Sequence, residues 1–234
     1  MQKKYLLATA AFSSLALGGL IIEPSLSGDA RAAQKTEESA PAASSLTKET
    51  VTEDLVAPAV APKNYDVTMV MFFDYQCPVC RKVHPDLQRL LADDKRVRLI
   101  YRDWPIFGAP SVEASRAAIA SKYQGKHYAF DDALMRMQGR LSSATIRAAA
   151  DKAGVDWARL QADLKKHDGE INALIARNST MAPAIGLQGT PGFIVGSYLV
   201  PGGMDLAGLK NAVAMAREVP NSAKPSDAPT PAGM

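Results

Sequence analysis

The sequence predicts an α/β fold in which a sheet is divided by an inserted helical block. Three observations predict it. An apolar run of strand length, VTMVMFF at Val67–Phe73, is followed at once by a helical pattern. An Ala-rich stretch with helical spacing fills residues 111–178, and two short strand-like runs at 193–195 and 198–200 precede a last helical pattern. Strands alternating with helices in this way bury a sheet between helical layers.

Each element has its own signal. The run VTMVMFF lacks polar alternation, as a central strand buried on both faces does. A helix is expected over 78–92, with Val83, Leu87, Leu90 and Leu91 on its apolar face. VRLIY at 97–101 alternates and predicts a second strand. Within 111–178, Trp157, Leu160, Leu164, Ile171, Leu174 and Ile175 follow helical spacing. Breaks are expected near Gly125, Gly139, Gly154 and Asp168-Gly169. Gly196-Ser197 between the last two strands predicts a hairpin, and Leu206, Leu209 and Val213 mark the closing helix.

The flanks differ in character. Lys3 and Lys4 precede an apolar stretch at 6–22, and Ala30-Arg31-Ala32 offers a small-x-small cleavage site, so residues 1–32 are expected to be an export signal peptide. Thr9, Ser13, Ser14 and two glycines dilute that stretch, which disfavours an uncleaved membrane anchor. No cysteine stands at the cleavage site, so no lipid anchor is expected there. Residues 33–62 are rich in Ala, Pro, Ser and Thr and are expected to form a flexible linker, with a brief helix at 46–55 as a candidate oligomerisation element. The tail 220–234, with Pro225, Pro229 and Pro231, is expected to be disordered. The folded unit is thus 63–219, with the helical insertion at about 108–180.

Composition narrows the function classes. Of 234 residues, 47% are hydrophobic and 22% charged, an ordinary globular balance. A formal charge of +3 without runs of like charge gives no field to gather nucleic acid, so no nucleic-acid partner is expected. Cys77 and Cys80 are the two cysteines, too few for a disulfide-stapled scaffold or a four-cysteine zinc site.

Those two thiols carry the chemistry. In FFDYQCPVCRK, Cys77 follows a buried strand and opens a helix, where unpaired N–H groups and the helix dipole favour an anion. Pro78 suits the first helical position. A thiolate is the nucleophilic form, so Cys77 is expected to attack and Cys80, one turn deeper, to resolve a mixed disulfide. Arg81 and Lys82 add positive charge nearby, and Val79 brings no donor or charge, so a less extreme oxidant with a Cys77 pKa above about 4 is expected. A purely structural disulfide closing so short a loop would remove little chain entropy. A metal held by Cys77, Cys80 and His84 lacks an evident fourth ligand, so no metal and no cofactor is expected.

The chain resembles the DsbA family of thioredoxin-fold proteins, most of all its exported DsbA-like and ScsC-like branch. The resemblance rests on FFDYQCPVC, on Pro85 five residues past Cys80, on RDWPIFG, on the helical insertion, and on GTPGFIVG followed by LVPGG. It implies a thioredoxin fold with an inserted helical domain, a kink proline at Pro85, and a cis-proline loop at Thr190 and Pro191 that pairs with substrate backbone. Trp104-Pro105-Ile106-Phe107 would be core or groove lining. One departure stands out: Met71 occupies the place, six before the first cysteine, where the family carries a buried acid. Asp74 and His84 are the nearby titratable groups; Asp74 is expected to be a solvated strand-end carboxylate and His84 a packing or helix-surface residue.

The resemblance implies an exported, periplasmic thiol-disulfide oxidoreductase that forms disulfides in other exported proteins with cysteines. It would be served by a membrane redox partner of the DsbB-like or DsbD-like kind. Thr190 before the proline also resembles isomerase-type members, so an oligomeric isomerase or reductase is the alternative, and a thiol-based copper-handling protein a more distant one.

Overall fold

A computed structural model describes residues 47–219. The expected signal peptide, residues 33–46 of the expected linker and the tail 220–234 lie outside the described residues. The elements are, in order, α1 (Lys48–Thr52), β1 (Ala59–Val60), β2 (Val67–Phe73), α2 (Pro78–Asp93), β3 (Val97–Asp103), α3 (Ala109–Ser121), α4 (His127–Met135), α5 (Ser143–Lys152), α6 (Trp157–Lys166), α7 (Asp168–Ala184), β4 (Gly192–Val195), β5 (Tyr198–Pro201) and α8 (Leu206–Glu218). A 3₁₀ turn at Lys122–Gln124 joins α3 to α4.

The strands form one sheet in the order β1-β3-β2-β4-β5. β2 and β3 are parallel, with Val67 opposite Val97 and Phe73 opposite Asp103, and α2 makes the crossover between them. All other pairings are antiparallel. Because β2 is central and covered on both faces, six of its seven residues are buried, which is why its sequence shows no alternation. α8 packs against α2, β2 and β4, while α7 packs against β3. The helices α3–α7 all fall between β3 and β4, so the sheet's two halves hold the insertion between them.

Three expectations change. Residues 47–62 are not a linker: α1 is capped by the Thr47 side chain, β1 pairs with β3, and Val51 and Ala57 are buried against the domain. Their anchor is Arg102 on β3, whose side chain is fully buried. It donates to the carbonyls of Thr50 and Val51, to Asp54 at 3.1 Å and to Asn178 at 3.3 Å. A buried guanidinium must have such partners, because an unpaired charge inside a protein costs several kcal/mol. The candidate oligomerisation helix therefore packs on its own domain. Similarly, β3 runs on to Asp103 and is buried on both faces rather than alternating. The break expected at Asp168-Gly169 falls one residue earlier, at His167, and Gly169 lies in the first turn of α7.

Candidate active site

Cys77 is the N-cap of α2, and its sulfur accepts the backbone N–H of Cys80 at 3.5 Å. Pro78 follows at the first helical position, where a missing N–H leaves no bond unmade. Both cysteines are free thiols, Cys77 2% exposed and Cys80 fully buried. Val79 on α2 and Ile106 and Phe107 after β3 are each 45% exposed, and Phe107 is held to the loop before Cys77 by its N–H on Asp74. Trp104, in contrast, is core.

The sulfurs differ in acidity. The Cys77 pKa is lowered to about 6, first by a hydrogen bond from the Cys80 thiol, against the opposing effect of burial, and further by Thr190 and the N–H groups of Cys80 and Val79. Burial pushes the Cys80 thiol far up, and its hydrogen bond to Cys77 keeps the proton there. Near neutral pH the pair thus holds one anion, at Cys77, and one proton, on Cys80.

The loop before β4 closes the site from the other side. The Thr190–Pro191 peptide bond is cis, and the Cys77 sulfur lies 3.2 Å from the Thr190 carbonyl, to which it donates when protonated. Thus Cys77, Thr190 and Pro191, 113 residues apart in sequence at the hydrogen bond, meet in one place.

Asp74 is not the solvated carboxylate expected. It is fully buried and accepts the N–H of Gln76 at 2.7 Å, the Ser111 hydroxyl at 2.7 Å and the N–H of Phe107 at 3.0 Å. These bonds tie the loop carrying Cys77 to the start of α3. His84 is buried and directed at α4, with Nε2 at 2.9 Å from Asp132; burial lowers its pKa against the pull of that carboxylate. It is a packing histidine paired with α4. Met71 is buried core, and Pro85 lies inside α2 as expected. Among the described residues no three His, Cys, Asp or Glu side chains converge as a metal site would require.

Several residues here carried no clear signal. Gln76 accepts the N–H of Leu141 at 3.0 Å, linking the active-site loop to the insertion. Arg81 donates to the carbonyls of Tyr75 and Gly139, each at 2.7 Å. Gly203 lets the loop after β5 lie against the site, since a Cβ there would come within 2.8 Å of Val79 and 2.9 Å of Val83. Asp103 and Asp131 are buried carboxyls without hydrogen-bond partners, the former with its pKa raised to about 7 by burial. The glycine pair in LVPGG was the one visible hint of a close approach.

Known proteins share this fold. A family model described as DSBA-like thioredoxin domain matches residues 68–214. Among solved structures, the chain is similar to a thioredoxin-like oxidoreductase from Silicibacter pomeroyi DSS-3, with 40% identity over 74% of this chain and 99% of that one, at a TM-score of 0.70. It is also similar to the thiol-disulfide exchange protein alpha-DsbA2 from Wolbachia pipientis (28% identity, 72% and 90% covered, TM-score 0.68). A third is a periplasmic thioredoxin-like protein from Salmonella enterica serovar Typhimurium (27%, 73% and 95%, TM-score 0.66). A curated relative, the Na(+)/H(+) antiporter NhaA 1 of Salinispora arenicola, is 29% identical over 157 residues that make up 66% of this chain. The chain spans about a quarter of the length of such curated relatives. The fold is thioredoxin-like with an inserted helical domain, and with a match running from the second residue of β2 into α8, the chain belongs to the DSBA-like thioredoxin domain family.

Proposed function

We propose that the protein is a thiol-disulfide oxidoreductase that forms disulfide bonds in exported proteins through Cys77 and Cys80. The observation that carries this reading is the asymmetry of the pair: Cys77 at the N-cap of α2, 3.2 Å from the Thr190 carbonyl, with a pKa of about 6, over a buried Cys80 that keeps its proton. In the oxidised form a substrate thiolate attacks the sulfur of Cys77. The Cys77–Cys80 bond breaks, a substrate–Cys77 disulfide forms, and Cys80 leaves as a thiolate and takes a proton. A second substrate thiolate then attacks the first substrate sulfur, and Cys77 departs as the stable thiolate. Two electrons have passed to the protein and the substrate holds a new disulfide. Val79, Ile106 and Phe107 offer apolar contact to the substrate segment, and the edge beside Pro191 offers backbone.

Export to the periplasm, reoxidation by a DsbB-like or DsbD-like membrane partner, and clients bearing cysteine pairs complete the reading. Periplasmic placement is supported by the Salmonella neighbour, and no helix among the described residues is long and apolar enough to cross a membrane. One observation favours a second reading, disulfide isomerisation or reduction. A Cys77 pKa of about 6 lies nearer the value of about 7 of a reducing thioredoxin than the value of about 3.5 of a strongly oxidising DsbA. Reactivation of a model protein with scrambled disulfides, run beside its fully reduced form in glutathione buffer, separates the two. Rapid oxidation without rescue supports the oxidase; efficient rescue of the scrambled form supports the isomerase. Cys80→Ser should accumulate mixed disulfides and Cys77→Ser should not, and equal adducts from both would overturn the assigned roles.

A further inference from the structure

A groove of about 570 Å³ adjoins Cys77 on the side of the helical insertion, away from the cis-proline loop. Gln76 and Pro78, the neighbours of Cys77 in sequence, form its near end, and Arg81, Lys82 and Arg136 line it further along. No carboxylate is among the lining residues. The three cations are not equivalent. Arg136 is already bound to Asp132 at 2.6 Å. Arg81 makes no ion pair among the described residues, although the charge of buried Asp74 acts on it; its guanidinium is held by the carbonyls of Tyr75 and Gly139, and its remaining nitrogen is buried. It is a charge fixed in place, close enough to Cys77 to interact with its thiolate. Lys82 is exposed and makes no ion pair among the described residues, so its ammonium is free to reach a ligand in the groove. The next acid along α2, Asp86, faces the other way and accepts the N–H of Leu206. Pro85 and Met137 add apolar wall.

We infer that this groove selects polypeptide segments whose cysteine is flanked by Asp or Glu, with Lys82 contacting the carboxylates and Arg81 supplying a fixed attractive field. The inference rests on the exchange reaction proposed above and names a class of substrate for it. The occupant follows from charge complementarity: a groove beside the reacting sulfur that is lined by Arg81, Lys82 and Arg136 and by no carboxylate favours carboxylates and disfavours Lys or Arg on the same flank.

The test uses the oxidised full chain and three matched peptides, each with one cysteine flanked on one side by two Glu, two Gln or two Lys. The rate of mixed-disulfide formation is measured for each and divided by that peptide's rate with a small uncharged disulfide, which removes differences in the peptide thiols themselves. Exposed ion pairs contribute a few-fold each, so the Glu peptide should exceed the Lys peptide by about ten-fold, and added salt should shrink the ratio. Lys82→Glu should bring the ratio to one or below it. Lys166→Glu, on α6 and with the same change in net charge, should leave it near the wild-type value. A wild-type ratio of one, or an equal fall in both variants, would overturn the inference while leaving the exchange reading standing. Failure of every peptide to exchange would overturn that reading, and the inference with it.

Discussion

Replacing Cys80 with Ala should raise the Cys77 pKa from about 6 to between about 7 and 8. The hydrogen bond from the Cys80 thiol is the largest cause of the low value, with burial opposing it and Thr190 and two helix-start N–H groups adding to it. A hydrogen bond to a charged acceptor contributes about 1.5–3 kcal/mol, and one pKa unit corresponds to about 1.4 kcal/mol. Loss of that donor therefore moves the pKa by roughly one to two units. The N–H groups of Cys80 and Val79 belong to the backbone and survive the substitution, so the value should stay below the unperturbed 9.0. At pH 7 the thiolate fraction would fall from about nine-tenths to between roughly a tenth and a half. Ultraviolet absorbance of the thiolate against pH reads this directly in the Ala variant, which has a single thiol. Cys80→Ser restores an O–H donor and should titrate below the Ala variant. An Ala variant unchanged from wild type would refute the role of Cys80 as donor. One that titrates at 9 would refute the contribution of the helix start.

Other parts of the structure make separate predictions. Asp103 is fully buried with its pKa raised from 3.8 to about 7 by burial, so the native state keeps a proton that the unfolded state loses, and this group's contribution to stability falls as pH rises from about 4 to 7. Asp103→Asn should accordingly gain on wild type across that window, by about 4 kcal/mol in all, and level off above it in urea unfolding; a pH-independent difference would refute the assignment. Arg102→Met removes the buried anchor of α1 and should cost about 3–5 kcal/mol, with faster amide exchange at residues 51–57; unchanged protection there would refute the anchoring. Gly203→Ala puts a Cβ within 2.9 Å of both Val79 and Val83, so it should destabilise by about 1–3 kcal/mol and slow exchange with peptide substrates. Wild-type exchange rates in that variant would mean the loop after β5 does not shape the site.

What the sequence disclosed was whatever depends on near neighbours. VTMVMFF declares a buried strand, and a thiol after a strand and before Pro declares a helix N-cap; both depend on residues a few positions apart. The hairpin at Gly196 is local in the same sense. The larger misreadings involve polar groups whose partners are distant. Asp74 looked like a solvated strand end because Phe107 and Ser111, which satisfy it, come 33 and 37 residues later. Residues 47–62 looked like linker because their few apolar side chains bury little surface alone. Their docking depends on Arg102, about 50 residues on, which local patterning would have turned to solvent. A charged residue can sit inside a strand only when distant groups complete it, and local pattern carries no trace of those groups.

The two sulfurs also bound the protein's oxidising power. Stabilising the Cys77 thiolate stabilises the dithiol and so makes the disulfide a better oxidant, but only to the extent that the proton has left. With a pKa of about 6 in place of 9.0, the dithiol at pH 7 gains roughly one pKa unit, about 1.4 kcal/mol, or about 30 mV for two electrons. Cys80 adds nothing there, because it is protonated both in the folded protein and in the unperturbed thiol. The Cys80 hydrogen bond and the helix start thus give a modest push toward oxidation. On the exchange reaction proposed above, a push this small leaves the direction of net electron flow to the proposed redox partner.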